Sequence, residues 1–439
     1  MSQQKKLNRR SFFGKMAGVT GAAIVLPYII PSSALGKEGV TAPSDRILMG
    51  LIGAGSQGTS DMHSFMAKSD VQVVAACDVD KTRRDAVKAT LDGRYENEDA
   101  RVYADYREFL AQEKLDAVII ALPDQWHGIM AIACANAKLD IYGEKPLART
   151  IWEGKKIIEA VEKNQVIWQT GSWQRSEAHF HRACELVING RIGKVTFVEV
   201  GLPNGSPATG SHPVKPVPEG LDWDRWLGPA PYAPYRGVCH WDWRWIMDYS
   251  GGQLTDWAGH HIDIANWGLG LERTGPLEIE ATGVFPREGI FDVPVEYSIH
   301  AKFANDIEMH IANSRQLPKG MGVCWYGDKG WIHVARGNRL TASDPKILEE
   351  KIGDDEIKLY KSLDHSQNLL DCIRSRQETI TPCQVAHRSI STALLGEIAM
   401  LTGRKIHWNP DTQEIIDDPV ASRLLRRPFR SPWKLEGNL

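Results

Sequence analysis

No two cysteines in this 439-residue chain form a CxxC pair, and none keeps a metal-ligand spacing with a histidine. The seven are scattered, at 77, 134, 184, 239, 324, 372 and 383. That excludes a sequence-local metal site, and no metal is expected. The odd count excludes complete pairing into disulfides, so the thiols are expected to be small buried hydrophobes. The chain lacks any repeat of 20–50 residues and any low-complexity stretch, which excludes a solenoid. It also lacks an excess of basic charge: 52 basic residues stand against 55 acidic ones. The first 36 residues hold five basic and no acidic residues, so their removal takes the formal charge from −3 to −8. A chain of that sign argues against nucleic acid as partner. The apolar run at 16–30 contains Pro27 and is too short for a comfortable membrane span.

What is present begins with that run. Arg9-Arg10 and Ser11-Phe12-Phe13 precede it, and "SSALG" follows, with Ala34 and Gly36 as small residues suited to cleavage. This is the three-part layout of a secretory signal of twin-arginine type. Residues 1–36 are therefore expected to be a signal segment, and the mature protein to be periplasmic or otherwise exported. The twin-arginine route carries folded proteins, which agrees with free thiols. About 400 residues remain, enough for two ordinary domains.

"RILMGLIGAGSQG" (46–58) is an apolar run ending in a GxGxxG turn, Gly53, Gly55, Ser56, Gln57 and Gly58. Alone the motif is weak. Here a strand-like run precedes it and a helix-compatible segment follows. A second strand, 71–78, ends in Asp78, 20 residues beyond Gly58, about the expected distance. Gly53 permits the tight turn, Gly55 the approach of a pyrophosphate, and Gly58 close helix–strand packing. Asp78 would accept from ribose hydroxyls and repel a 2′-phosphate. That favours NAD over NADP, although Arg83 and Arg84 temper the preference. Helices over 107–115, 127–138 and 151–164 alternate with strands over 116–123, 140–146 and 165–173. Such alternation predicts a parallel sheet with its ligand at the carboxyl ends of the strands. Those ends hold the glycine turn, Asp78, "LPDQWH" with Pro123 and His127, and "GEKP" with Glu144 and Lys145.

The glycine turn, "LPDQWH", "EKP" and the Asp256…His260 pair in "GGQLTDWAGHHIDIANW" together resemble the Gfo/Idh/MocA family of dinucleotide-dependent sugar oxidoreductases. "DHSQNLLDCIRSRQ" (364–377) resembles a helix start common in its exported members. The resemblance implies a Rossmann domain, set here at 45–175, and a sugar-binding α+β domain at 176–410 on a large, mostly antiparallel open sheet. Residues 411–439 would form an extended tail. The residues agree independently: 194–202, 277–285, 295–303, 307–313 and 330–336 alternate as strands do. The resemblance also implies assembly of copies through the open sheet.

Oxidising a sugar hydroxyl needs a proton acceptor and a hydride acceptor. Lys145 is placed to stabilise a developing alkoxide, and His260 to take the proton near neutral pH. Asp256, four residues earlier on a helix, would orient the imidazole. The adjacent His261 is an alternative to His260. Tryptophans cluster between 223 and 267. Trp241, Trp243 and Trp245 would share one face of an extended segment and stack on a sugar, with His240, Asp242 and Arg244 turned to the other side. Trp173, Gln174 and Arg175 would border the site. The loop 204–220 reads as a lid. Export away from free coenzyme implies a tightly bound NAD recycled within each cycle. One such chemistry reduces a second sugar, as in the glucose–fructose oxidoreductase branch. Another is transient oxidation with glycoside elimination, as in NAD-dependent glycosidases. A non-catalytic sensor is the third reading.

Overall fold

The computed structural model describes residues 45–205 and 212–435. The expected signal segment and the middle of the expected lid, 206–211, lie outside the described residues. The first wing is a six-stranded parallel sheet in the order β3-β2-β1-β4-β5-β6. Its strands are β1 (Ile47–Ile52), β2 (Val71–Cys77), β3 (Arg101–Tyr103), β4 (Ala117–Ile120), β5 (Asp140–Gly143) and β6 (Trp168–Thr170). The central strands are near-continuous apolar runs because helices cover both faces. These are α1 (Ser56–Met66), α2 (Lys81–Tyr95), α3 (Tyr106–Gln112), α4 (His127–Asn136) and α5 (Ile151–Asn164). Helices α2 and α3 start on aspartate caps: Asp80 accepts from the Thr82 N–H and Asp105 from the Arg107 N–H.

The second wing is a nine-stranded sheet in the order β13-β12-β11-β7-β10-β9-β8-β14-β15, antiparallel except where β7 runs parallel to β10. Its strands are β7 (Val195–Leu202), β8 (Glu278–Val284), β9 (Glu296–Lys302), β10 (Glu308–Asn313), β11 (Gly322–Gly327), β12 (Gly330–Ala335), β13 (Arg339–Ala342), β14 (Ile406–Asn409) and β15 (Glu414–Ile415). β9 shows the pleat plainly. Tyr297, Ile299 and Ala301 are buried, while Glu296, His300 and Lys302 are exposed. The buried face packs under α6 (Ala178–Ile188), α9 (Asp263–Leu269) and α11 (Cys383–Thr402). Short helices α7 (Trp223–Leu227) and α8 (Gly252–Trp257), with α10 (His365–Ser375), complete the parts used below.

Buried ion pairs fasten the wings to each other. Arg149, after β5, makes two bonds of 2.8 and 2.9 Å to Glu397 on α11. Arg175, after β6, makes bonds of 2.6 and 2.9 Å to Asp263 on α9. All seven cysteines are free and buried. Among the described residues, no helix is long and apolar enough to cross a membrane.

Candidate functional site

A cleft opens at the carboxyl ends of the parallel strands, and the glycine turn forms one end of its wall. Gly53 has φ +97°, and a Cβ there would lie 2.1 Å from the Ala121 carbonyl oxygen. At Gly58 a Cβ would lie 2.0 Å from the Gly53 oxygen. Only glycine fits either position. Helix α1 starts at Gly55 with no side-chain cap and no acid in its first turn. Its N–H groups therefore face the cleft as an anion site. Ser56, Gln57, Gly58, Asp78 and Pro123 all line this cleft. One Asp78 oxygen accepts from the Ala54 N–H at 2.7 Å and the other from the Asp80 N–H at 2.8 Å. Arg84 donates to the Asp78 backbone oxygen, whereas Arg83 reaches the cleft beside Gly55. The residues thus fit a dinucleotide: a phosphate cradle that a Cβ would fill, and a carboxylate fixed at the end of β2.

Glu144, Lys145 and Asp256 line the same cleft. The Lys145 ammonium donates to Asp256 at 2.8 Å, and Arg244 stands 3.8 Å from the same carboxylate. Burial opposes the charge on Lys145, but Asp256 and Glu144 outweigh it and raise its pKa. Burial likewise opposes ionisation of Asp256, yet Lys145 and Arg244 hold it below the ordinary carboxylate value. Burial dominates at Glu144 and pushes it up to about 7.

The expected Asp256–His260 hydrogen bond is not formed. Residues Ala258–Ile262 make a π turn, which breaks the i, i+4 stacking of an α-helix. The carboxylate goes to Lys145 instead, because an ammonium is the stronger partner. His260 is buried, with Nδ1 unpartnered. Its pKa falls well below the ordinary histidine value through burial, then through Lys145 and Arg336. The ring is therefore neutral. The preceding residue packs on Lys145, since a Cβ on Gly259 would sit 2.9 Å from the Lys145 Cβ, but the His260 ring itself does not line the cleft. His261 donates from Nδ1 to the Gly201 oxygen at 2.9 Å and is held down to about 4 by burial.

Several other expected site residues are placed elsewhere. His127 does not line the cleft; its ring spans the Pro146 and Leu122 carbonyls at 2.6 and 2.8 Å. Arg175 is spent on Asp263 and on Glu272 at 2.9 Å, so its donors are unavailable to a substrate. His240 sits at the Asp78 end of the cleft, 3.5 Å from Asp80. Residues Asp242–Trp245 form a 3₁₀ turn rather than an extended segment. In consequence Trp241 is exposed, while Trp243 joins a core cluster with Trp223 and Trp226 and also lines the cleft. Gln174 is buried with both amide atoms unpartnered. Trp173 packs edge-on to His260, with centroids 6.2 Å apart.

Two residues that sequence reasoning missed, Arg336 and Trp433, belong to the site region, and Arg244, expected on the face shared with His240, joins them. Arg244 stands by Asp256. Arg336, one residue past β12, lies over Trp173 and Trp257. Trp433 comes from the tail and lines the cleft, 4.8 Å edge-on from Trp126. That tail is docked: Arg427 bonds Glu153 and the Gln125 oxygen, each at 2.8 Å, and Arg430 holds Asp224. Two apolar residues, Trp433 and Leu435, among basic ones were the available signal for docking.

Residues 47–172 match the family model "Oxidoreductase family, NAD-binding Rossmann fold", and 207–435 match "Oxidoreductase family, C-terminal alpha/beta domain". The chain is 27% identical to the uncharacterized oxidoreductase YrbE of Bacillus subtilis, over 65% of this chain and 72% of that protein. It is 27% identical to myo-inositol 2-dehydrogenase of Thermotoga maritima, over 51% of this chain and 55% of that protein. A glycosyl hydrolase family 109 protein of Shewanella pealeana is 30% identical over 36% of this chain and 38% of its own length. Of these last two relatives the chain thus spans about half or less. The WlbA dehydrogenase of Bordetella pertussis, solved with NADH and UDP-GlcNAcA, shares the fold at TM-score 0.63. It is 18% identical, over 83% of this chain and 99% of that one.

Proposed function

The chain belongs to the Gfo/Idh/MocA oxidoreductase family, and from that premise we propose that it oxidises a hydroxyl of a sugar or glycoside with NAD seated on the 53–58 turn. One observation carries the reading: the Lys145 ammonium, paired with Asp256 at 2.8 Å, shares a cleft with the glycine turn, and its charge is felt by a neutral His260. NAD, when bound, supplies the hydride acceptor. Lys145 hydrogen-bonds the reacting hydroxyl and stabilises the alkoxide as it forms. Asp256 positions Lys145 and keeps it charged. His260 takes the proton at Nε2, since Nδ1 is sealed in the interior. Asp78 supports NAD over NADP, and Arg84, held on a backbone oxygen, is not free for a 2′-phosphate.

Export by the twin-arginine route and tight retention of NAD form one proposal, because a dissociating coenzyme would leave an exported enzyme idle. The family 109 relative favours a second reading, in which oxidation is transient and a glycosidic bond is cleaved. Incubating purified protein with sugars and aryl glycosides tests both. A rise in absorbance at 340 nm supports oxidation, and aglycone release without net reduction supports the glycosidase. Neither response, from protein shown to hold NAD, refutes the proposal.

A further inference from the structure

Two arginines of the site region are built alike. The Arg244 Cζ lies 4.3 Å from the Trp241 ring centroid and 4.4 Å from that of Trp243. The Arg336 Cζ lies 4.4 Å from Trp173 and 4.3 Å from Trp257. Each guanidinium is thus stacked over two indoles, which fixes its plane and leaves its N–H edges to do the bonding. Arg244 is already employed: it donates to the Trp241 oxygen at 3.3 Å and faces Asp256.

Arg336 is not. Among the described residues its guanidinium makes no hydrogen bond and no ion pair, and its Nε is sealed without a partner. Three acids act on it, Glu177, Asp256 and Glu144, but among the described residues none comes within ion-pair distance. Asp256 belongs to Lys145, while one Glu177 oxygen is buried without a hydrogen-bond partner, because the nearby His179 bonds the Ala335 oxygen. Its two terminal nitrogens, unlike Nε, are not sealed, so that end of the Arg336 fork is open to an acceptor on a ligand. Its two indoles are also the neighbours of His260, with centroid distances of 6.2 Å for Trp173 and 5.4 Å for Trp257. An anion bound at Arg336 would therefore belong to the molecule whose hydroxyl meets Lys145 and His260.

We propose that Arg336 is the receptor for a carboxylate on the substrate, so that the sugar oxidised is a uronic acid or a uronoside. This deepens the reading of the site as a sugar oxidase and rests on it. The planar fork of the guanidinium matches a planar carboxylate bidentately.

The test uses the full chain loaded with NAD, as wild type, Arg336→Gln and Arg336→Lys. Calorimetric binding and reduction at 340 nm are measured with glucuronate and galacturonate, with glucose and galactose, and with galactose 6-sulfate. The wild type should prefer uronates to their neutral counterparts by about ten- to a hundredfold. Arg336→Gln should collapse that ratio, and Arg336→Lys should keep part of it. Equal affinity of the wild type for charged and neutral sugars, or an unchanged ratio in Arg336→Gln, overturns the proposal. The 6-sulfate binding as tightly as a uronate overturns the assignment to carboxylate. If no sugar reduces the bound NAD, the oxidase reading fails, while the calorimetric ratio still decides the role of Arg336.

Discussion

Replacing Asp256 by asparagine separates the two roles that the sequence and the structure give it. The side chain keeps its shape and loses its charge. Lys145 then loses a carboxylate 2.8 Å away, in a pair whose side chains are only 14% and 16% exposed. At an effective dielectric constant near 20, two unit charges that close attract by about 6 kcal/mol before desolvation is subtracted. Breaking such a buried pair costs about 3–5 kcal/mol of stability. Burial and Arg244 would then act on Lys145 with Glu144 as the main acid left to oppose them, so its pKa must fall. The ammonium proposed to meet the substrate is then lost at lower pH than in the wild type. The assay is a single-turnover rate of NADH formation across pH, on protein loaded with NAD. Asp256→Asn should lose about 10²–10³-fold in rate near neutrality, the worth of one oxyanion donor. Its alkaline limb should move to lower pH, and Asp256→Glu should restore part of both. If the alkaline limb stays in place and the acidic limb moves, Asp256 acts through His260 and the present reasoning fails.

Gly58→Ala should abolish NAD retention with little change in circular dichroism, because the new Cβ would sit 2.0 Å from the Gly53 oxygen; equilibrium dialysis with labelled NAD checks it. Arg175→Met strands the buried Asp263 carboxylate and should cost about 3–5 kcal/mol in denaturant unfolding, with the order of preference among sugars unchanged. Glu144 binds its proton more tightly folded, at about 7, than unfolded, at 4.5. Its contribution to stability is therefore full below pH 4.5 and falls as pH rises to 7, by about 3 kcal/mol; Glu144→Gln should flatten that stretch of a stability-versus-pH curve. Trp433→Ala removes a wall of the cleft and should speed the release of bound NAD, read by the loss of 260 nm absorbance on repeated desalting.

The parallel sheet was legible because each signal is local. β1, the glycine turn and Asp78 fall within one βαβ unit, and α5 coincides with the amphipathic stretch 151–164. β9 and β10 could be read from their alternation. β13 and β15 are too short to carry a period, at four and two residues, and β11 is buried along most of its length, so it does not alternate. The site was legible in its backbone parts and less so in its side chains. Arg175 resembled a substrate residue by position, but Asp263 and Glu272, 88 and 97 residues away, claim it. Asp256 and His260 carried the right spacing for an α-helix, and a π turn, which leaves no mark in a single sequence, undid their pairing. Arg336 has no local motif; the two indoles that define it come from opposite wings.

The central claim is that this cleft holds NAD beside Lys145 as a standing part of the protein. Denaturing the purified full-length protein and quantifying the released dinucleotide by mass spectrometry tests it most directly. The account predicts about one NAD per chain, with NADP in the minority. Protein that releases no dinucleotide, and that shows no saturable uptake when NAD is added before denaturation, would contradict it.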